Sequence, residues 1–504
     1  MTSFRKKMIS VLMIGSLALF SPVFAFSADP VLTVLVPATF PNLDPGETVS
    51  GDQSMVAYHI FSRLYTFNEK MEPFPDLVTK ESISKDGTTW TFEIRPGVKF
   101  HDGTPLNAAA IKYTVDRMLK KGGSQKALFE AIKEVRVHSD TGFSFVTEKP
   151  FPGLRNNLAH PASAIISPAS DNKLGRDFGM RPVGSGPYRF AEWMSGDHIS
   201  VVRNDAYYGE RPHYAQINFK FVLDDTTRAL LMETGQADVA LRLLPAATDR
   251  LKGNPQVSIR LLPGRNIFYQ LNNMKFPFND IRVRRAVNYA VDKQTIIDRV
   301  LSGTGQTARS LVEAVQGTID AGFYPFDPEK AKALIRDANA VGAKIVLLSP
   351  TTRYPLAVEV SQAVGGYLRQ AGLTVEIQAV GDWPSFLEKV KRHEFDLYML
   401  GWGGSTGDPD NAFQRLLHSK LAGNFWNVAG YKNPKVDNLI MSGASEFNQK
   451  KRMQIYAEIQ KIVWDEAPWL FMYRETSRIA QKANIKNIKI LPGTEMPYFW
   501  QASP

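Results

Sequence analysis

Hydrophobic and polar positions alternate with a period of two in the stretch DGTTWTFEIRPGVKFHDGTPL, residues 86–106. Trp90, Phe92 and Ile94 fall on one side, and Thr91, Glu93 and Arg95 on the other. That is the pattern of a strand with one buried face. Pro96-Gly97 then turns the chain into Val98-Lys99-Phe100, which predicts a β-hairpin closed by Asp102-Gly103. Asn107 is the expected N-cap of a helix whose Ile111, Val115, Met118 and Leu119 share a face.

Elsewhere the periodicity divides the chain in two. VLTVLV at 31–36 predicts a buried strand, followed by the turn PATFPNLDPG and a helix near 55–64. Residues 143–146 predict another strand, and 154–166 a mixed apolar segment. In PVGSGPYRFAEW, 182–193, two glycines and a proline predict a tight structural corner, and Tyr188 and Phe190 begin a strand. Asp224-Asp225-Thr226 should cap a helix ending at Gly235, with a strand over 237–241. From about 272 strand and helix alternate: strand 344–349, helix 356–370 stopped by Gly372, strand 373–380, helix 385–392, strand 395–400. A β-α-β-α-β run predicts parallel sheet. No internal repeat or low-complexity tract interrupts it.

The first residues add a compartment. Arg5-Lys6-Lys7 precede an apolar run from Met8 to about Phe20, and Val23-Phe24-Ala25 offers a cleavage site, so residues 1–25 read as an export signal, with Ala28 the second choice. Such a run is short for a membrane span. The chain has no cysteine, which excludes disulfides, thiolate metal ligands, thiol nucleophiles and a lipidated N-terminal cysteine. A soluble mature protein in a Gram-negative periplasm is expected. Its 504 residues allow two or three domains of ordinary globular composition, 44% hydrophobic and 22% charged. Removing residues 1–25 takes away three basic residues, so the net charge falls from +10 to +7. With no Lys/Arg block and no nucleic-acid motif, no nucleic-acid partner is expected.

Catalytic signals are thin. Gly403 to Gly407 matches G-x-S-x-G in form, but the single downstream histidine, His418, leaves no usual triad order. The eight histidines are dispersed without metal-ligand spacing, and there is no P-loop. The expectation is a binder without cofactor or metal, not an enzyme.

The 86–106 stretch, with PVGSGPYRFAEW and the Asp224-Asp225-Thr226 helix start, resembles the bacterial extracellular solute-binding proteins of the peptide and nickel class, family 5, which deliver ligands to ABC importers. The resemblance spans nearly the whole mature chain. It implies an α/β two-lobe periplasmic binding protein of type II with an extra subdomain in the first lobe and a hinge. The boundaries expected are residues 26–270 for lobe I, with 50–185 as the subdomain, 271–475 for lobe II, and 476–504 returning to lobe I. It also implies membrane permease subunits as partners for a monomeric carrier.

For the site it points to FDLYMLGWGGSTGDPDN, 395–411, a strand ending in a polar glycine-rich loop. Peptide-binding members commonly place an acidic residue three positions after the Trp, where this chain has Ser405. Ser405-Thr406-Gly407 matches the glutathione-binding branch, whereas Asp408-Pro409-Asp410 is closer to the dipeptide branch. Ser405 and Thr406 hydroxyls can donate or accept, and Asp408 or Asp410 could take an ammonium. Arg353, between a strand and a helix, suits bidentate carboxylate recognition, with Arg265 as second choice. Trp402 and Tyr354 would wall the slot, and Trp383 is assigned to helix packing. Short peptide is the expected ligand; glutathione-like tripeptide, opine, nickel chelate and oligosaccharide stay open.

Overall fold

Two long antiparallel strands, Val257–Leu271 and Trp469–Lys482, organise the molecule, because each runs through both halves of one large mixed sheet. The computed structural model describes residues 30–504 apart from 48–49, 122–124, 314, 352 and 492–495; the expected export signal, 1–25, lies outside the described residues. Across the sheet the strands follow the order Thr374–Val380, Lys344–Pro350, Leu397–Trp402, Val257–Leu271, Trp469–Lys482, Val239–Ala240, Val31–Val36, Gln216–Phe221, His198–Arg203 and Tyr188–Met194. Residues 257–263 pair with 476–482 beside Val239–Ala240 in the first lobe, and residues 266–271 pair with Leu397–Trp402 in the second. The register slips between Pro263 and Asn266, a bulge in the strands that join the lobes. This is the hinge.

In the second lobe the β-α-β-α-β pattern yields parallel pairing of Lys344–Pro350 with both Thr374–Val380 and Leu397–Trp402. Helices cover both faces, as a parallel sheet requires. Leu347, Leu397 and Val364 belong to one core, and Leu348, Tyr398 and Phe386 to another on the opposite face. The first lobe repeats the logic through alternation in Val31–Val36. Leu32, Val34 and Val36 enter a core continuous with the subdomain, while Leu35 joins Ala229 and Leu243 beneath the helices Asp225–Glu233 and Pro245–Leu251.

The subdomain is an antiparallel sheet in the order Val78–Ile83, Thr89–Ile94, Gly142–Thr147, Ile132–Val137. Trp90 and Phe92 are fully buried in it, with Phe92 stacked on Phe143 at 5.2 Å. The predicted hairpin is corrected here. Both edges of Thr89–Ile94 are taken, one by the preceding strand Val78–Ile83 in a hairpin and the other by the distant Gly142–Thr147, so residues 98–100 cannot pair with it; they close on themselves through Phe100 N–H to Thr104 O and Leu106 N–H to Val98 O. Asn107 does cap the helix Ala108–Lys121, accepting from Ala110 N–H at 3.1 Å. The first helix is Gly51–Ile60, earlier than the periodicity placed it, because Ser50 accepts from Gln53 N–H and fixes its start. The corner at 182–193 needs its glycines for close approach: a Cβ on Gly184 would lie 2.2 Å from the Ile60 carbonyl oxygen, and one on Gly186 2.7 Å from that of His59.

Candidate functional site

A cavity of about 660 Å³ opens where the hinge strands meet both lobes. Two larger depressions, beside His101 on the first lobe and between the subdomain and the second lobe, have volumes near 850 and 820 Å³. The hinge cavity gathers both lobes, both crossing strands and a half-buried cation without an ion partner among the described residues.

That cation is Arg353. It sits at the carboxyl end of the parallel strand Lys344–Pro350 and before the helix Ala357–Gln370, the position where open α/β sheets bind ligands. Its guanidinium lies over the Trp383 ring, 5.2 Å from the centroid. Its Nε is buried, and the side chain has no hydrogen bond or ion pair among the described residues. Burial, followed by the neighbouring Arg265 charge, lowers its pKa. A half-buried charge without a partner is partly desolvated, and a ligand carboxylate offsets that cost.

Tyr354 packs beside it, edge-on to Trp383 at 6.3 Å, and its hydroxyl accepts from Gly401 N–H at 2.7 Å. This bond ties the arginine loop to the end of the strand Leu397–Trp402. Gly401 has to be small, since a Cβ there would meet the Tyr354 ring at 2.7 Å and Arg265 Cδ at 2.8 Å. Arg265 projects from the hinge bulge, lies 5.7 Å from the Tyr354 centroid and pairs with Glu475 of the other crossing strand at 3.0 Å.

The first lobe supplies the facing wall. Arg242 Nη2 donates to Asp52 Oδ2 at 2.5 Å, joining the turn after Val239–Ala240 to the first turn of the helix Gly51–Ile60. Arg242 holds a left-handed backbone, φ 50°, uncommon for a residue with a side chain. Its carbonyl accepts from Arg228 at 3.5 Å, and Arg228 is held in turn by Asp225 at 2.8 Å.

The residues expected from sequence therefore separate. Arg265, Arg353 and Tyr354 line the cavity together, joined by Trp383, which serves both the wall and helix packing through its 5.1 Å stack on Phe386. Trp402, Ser405, Thr406 and Asp408 do not line it. Trp402 is half-buried against Trp426 at 5.7 Å, and Ser405 is half-buried in the following turn. The Thr406 carbonyl accepts from Asn156 of the subdomain at 2.8 Å, a contact between lobes. The ligand role expected for Asp408 meets a structural one: both its oxygens bind the Arg452 guanidinium, and one also accepts from Asp410 N–H at 2.8 Å. The Asp410 carboxylate accepts from Tyr456 OH at 3.2 Å.

Sequence reasoning missed Asp52, Arg242 and Glu475. For Arg242 a signal existed, a lone cation inside the apolar run ADVALRLLP; nothing local marks the other two.

The family model for bacterial extracellular solute-binding proteins, family 5 Middle, matches residues 72–424. The chain is similar to the glutathione-binding protein GsiB of Pectobacterium atrosepticum, with 30% identity over 488 residues that cover 94% of each protein. Among solved structures it is similar to NikA from Brucella suis in complex with Fe(III)-EDTA, with TM-score 0.84, 25% identity and coverage of 94% of this chain and 100% of that one. It also superposes on the periplasmic binding protein DppA from Helicobacter pylori in complex with peptide STSA, with TM-score 0.82, 22% identity and coverage of 94% and 98%. Taken with the two lobes and the hinge cavity, these matches identify the chain as a member of the bacterial extracellular solute-binding proteins, family 5.

Proposed function

We propose that this protein is the periplasmic substrate-binding component of an ABC importer and that it carries a short, carboxylate-bearing peptide, with a glutathione-like tripeptide as the first candidate. Residues 1–25 direct export and are removed, and the carrier works as a monomer that hands its ligand to membrane permease subunits. Lobe closure about the hinge traps the ligand, and the closed form is the one the permease distinguishes. The protein binds without turning its ligand over.

One observation carries the ligand class: Arg353, half-buried in the cleft with its guanidinium unmatched by any carboxylate among the described residues, and with Arg265 and Arg242 lining the same cavity. A planar guanidinium stacked on an indole is preorganised for a bidentate carboxylate. The glutathione-binding relative supports the choice of tripeptide. Calorimetry and thermal melting with glutathione, di- and tripeptides and their C-terminal amides provide the test. A ligand at one hundred times its dissociation constant should add about 2.7 kcal/mol of stability. Free acids should bind and amides bind weakly; no heat and no shift from the whole panel would overturn the peptide reading.

A further inference from the structure

The ligand ammonium still needs a partner. Ser405 carries no charge, and Asp408 and Asp410 are engaged by Arg452 and Tyr456 away from the cavity. The carboxylates that line the cavity are Asp52, Asp225 and Glu475. Asp225 is committed to Arg228 and to Leu244 N–H, and Glu475 lies against Arg265. Asp52 stands on the first-lobe wall, in the first turn of the helix Gly51–Ile60, with Oδ2 on Arg242 of the same lobe.

Resting on the peptide reading above, we propose that the Asp52–Arg242 pair reads a free α-amino-acid head. The ligand's ammonium lies on the Asp52 carboxylate and its α-carboxylate on the Arg242 guanidinium, while Arg353 on the opposite lobe takes a second, remote carboxylate. A paired cation and anion side by side are the complement of a zwitterion whose ammonium and carboxylate share one carbon. The left-handed backbone at Arg242, with its carbonyl anchored by Arg228, is local strain spent on aiming this side chain. Because the pair belongs to the first lobe and Arg353 to the second, one ligand spanning them draws the lobes together.

The consequence is a linkage preference. In an ordinary linear peptide the terminal ammonium and terminal carboxylate stand at opposite ends. A γ-glutamyl peptide keeps both on one carbon and carries a further carboxylate at its far end. The cleft should therefore distinguish γ-Glu-Cys-Gly from α-Glu-Cys-Gly, which have the same composition and charge.

Calorimetry of both isomers on the full mature protein tests this. The γ isomer should bind the wild type about tenfold or more tightly than the α isomer, the scale of one charge-assisted contact. Asp52→Asn should bring the ratio close to one while leaving the preference for a free glycine carboxylate over its amide. Arg242→Gln should also shrink the ratio, so the test does not depend on one variant folding. Equal binding of the isomers by the wild type, or an unchanged ratio in both variants, would overturn the zwitterion reading and leave the peptide function standing. No binding of either isomer or of the peptide panel would overturn both.

Discussion

Arg353 and Asp408 show how far a single residue can be read. Arg353 combines a position at a strand's carboxyl end with a guanidinium that lacks an ion partner among the described residues. Arg353→Ala should cost about 2–5 kcal/mol of affinity for a carboxylate ligand, since the ligand's own charge is then buried unpaired. Arg353→Lys should recover part, through a less directional contact. Calorimetry with glutathione measures both, and an alanine variant of unchanged affinity would remove Arg353 from the site. Asp408 points the other way. Its pairing with Arg452 is buried on both sides, so Asp408→Asn should lower stability by about 3–5 kcal/mol, as breaking one half of such a pair does. The affinity of the folded variant should hardly move. Denaturant melts and calorimetry together separate these outcomes. The sequence displayed Asp408 in a loop rich in ligand-like chemistry, but Arg452 lies 44 residues away, and pairing at that separation leaves no local trace. The same holds for Asp52 and Arg242, which are 190 residues apart.

At the scale of elements, local patterning was readable and partner choice was not. The alternation of Trp90, Phe92 and Ile94 marks a strand and its buried face correctly, because pleat geometry is a local property. It cannot say that Val78–Ile83 and Gly142–Thr147 take both edges, which is why the expected hairpin is absent. The parallel run in the second lobe was legible because short connections between alternating strands and helices leave few topologies. Gly401 belongs to this scale, for it lets one strand end serve as a floor under two site residues. Gly401→Ala would push Tyr354 and Arg265 apart, since its Cβ has atoms of both within 2.8 Å. Overpacking of this kind costs about 1–3 kcal/mol. The expected result is a weaker ligand affinity together with a lower melting temperature. A variant that melts lower yet binds glutathione as tightly as the wild type would show that the Tyr354–Gly401 contact supports the fold alone.

For the whole molecule, acid sensitivity is distributed unevenly. Burial lowers the pKa of three first-lobe histidines: His59 to about 4, His101 to about 4 and His160 to about 3. The hydrogen bonds explain why the neutral forms are held. His59 Nε2 accepts from Phe499 N–H at 3.0 Å, and His160 Nδ1 accepts from Ala162 N–H at 3.1 Å, roles a protonated ring cannot fill. Their folded pKa values lie below the unfolded value near 6.5, so the stability they represent is present above about pH 6.5 and is lost as pH falls through about 4. Asp410 in the second lobe acts in reverse: burial and then Asp408 push it up to about 6, so its contribution is present at low pH and lost as pH rises through about 6. At roughly 1.4 kcal/mol per unit, three histidines outweigh one carboxylate. The melting temperature should therefore decline as pH drops from 6.5 toward 4. Asp410→Asn, which removes the opposing contribution, should be more stable than the wild type at pH 7.5 and converge with it near pH 4, giving a steeper decline. Melting curves at half-unit pH intervals would show it; an Asp410→Asn profile parallel to the wild type would mean that Asp410 is ionised throughout and that Arg452, not protonation, balances its charge.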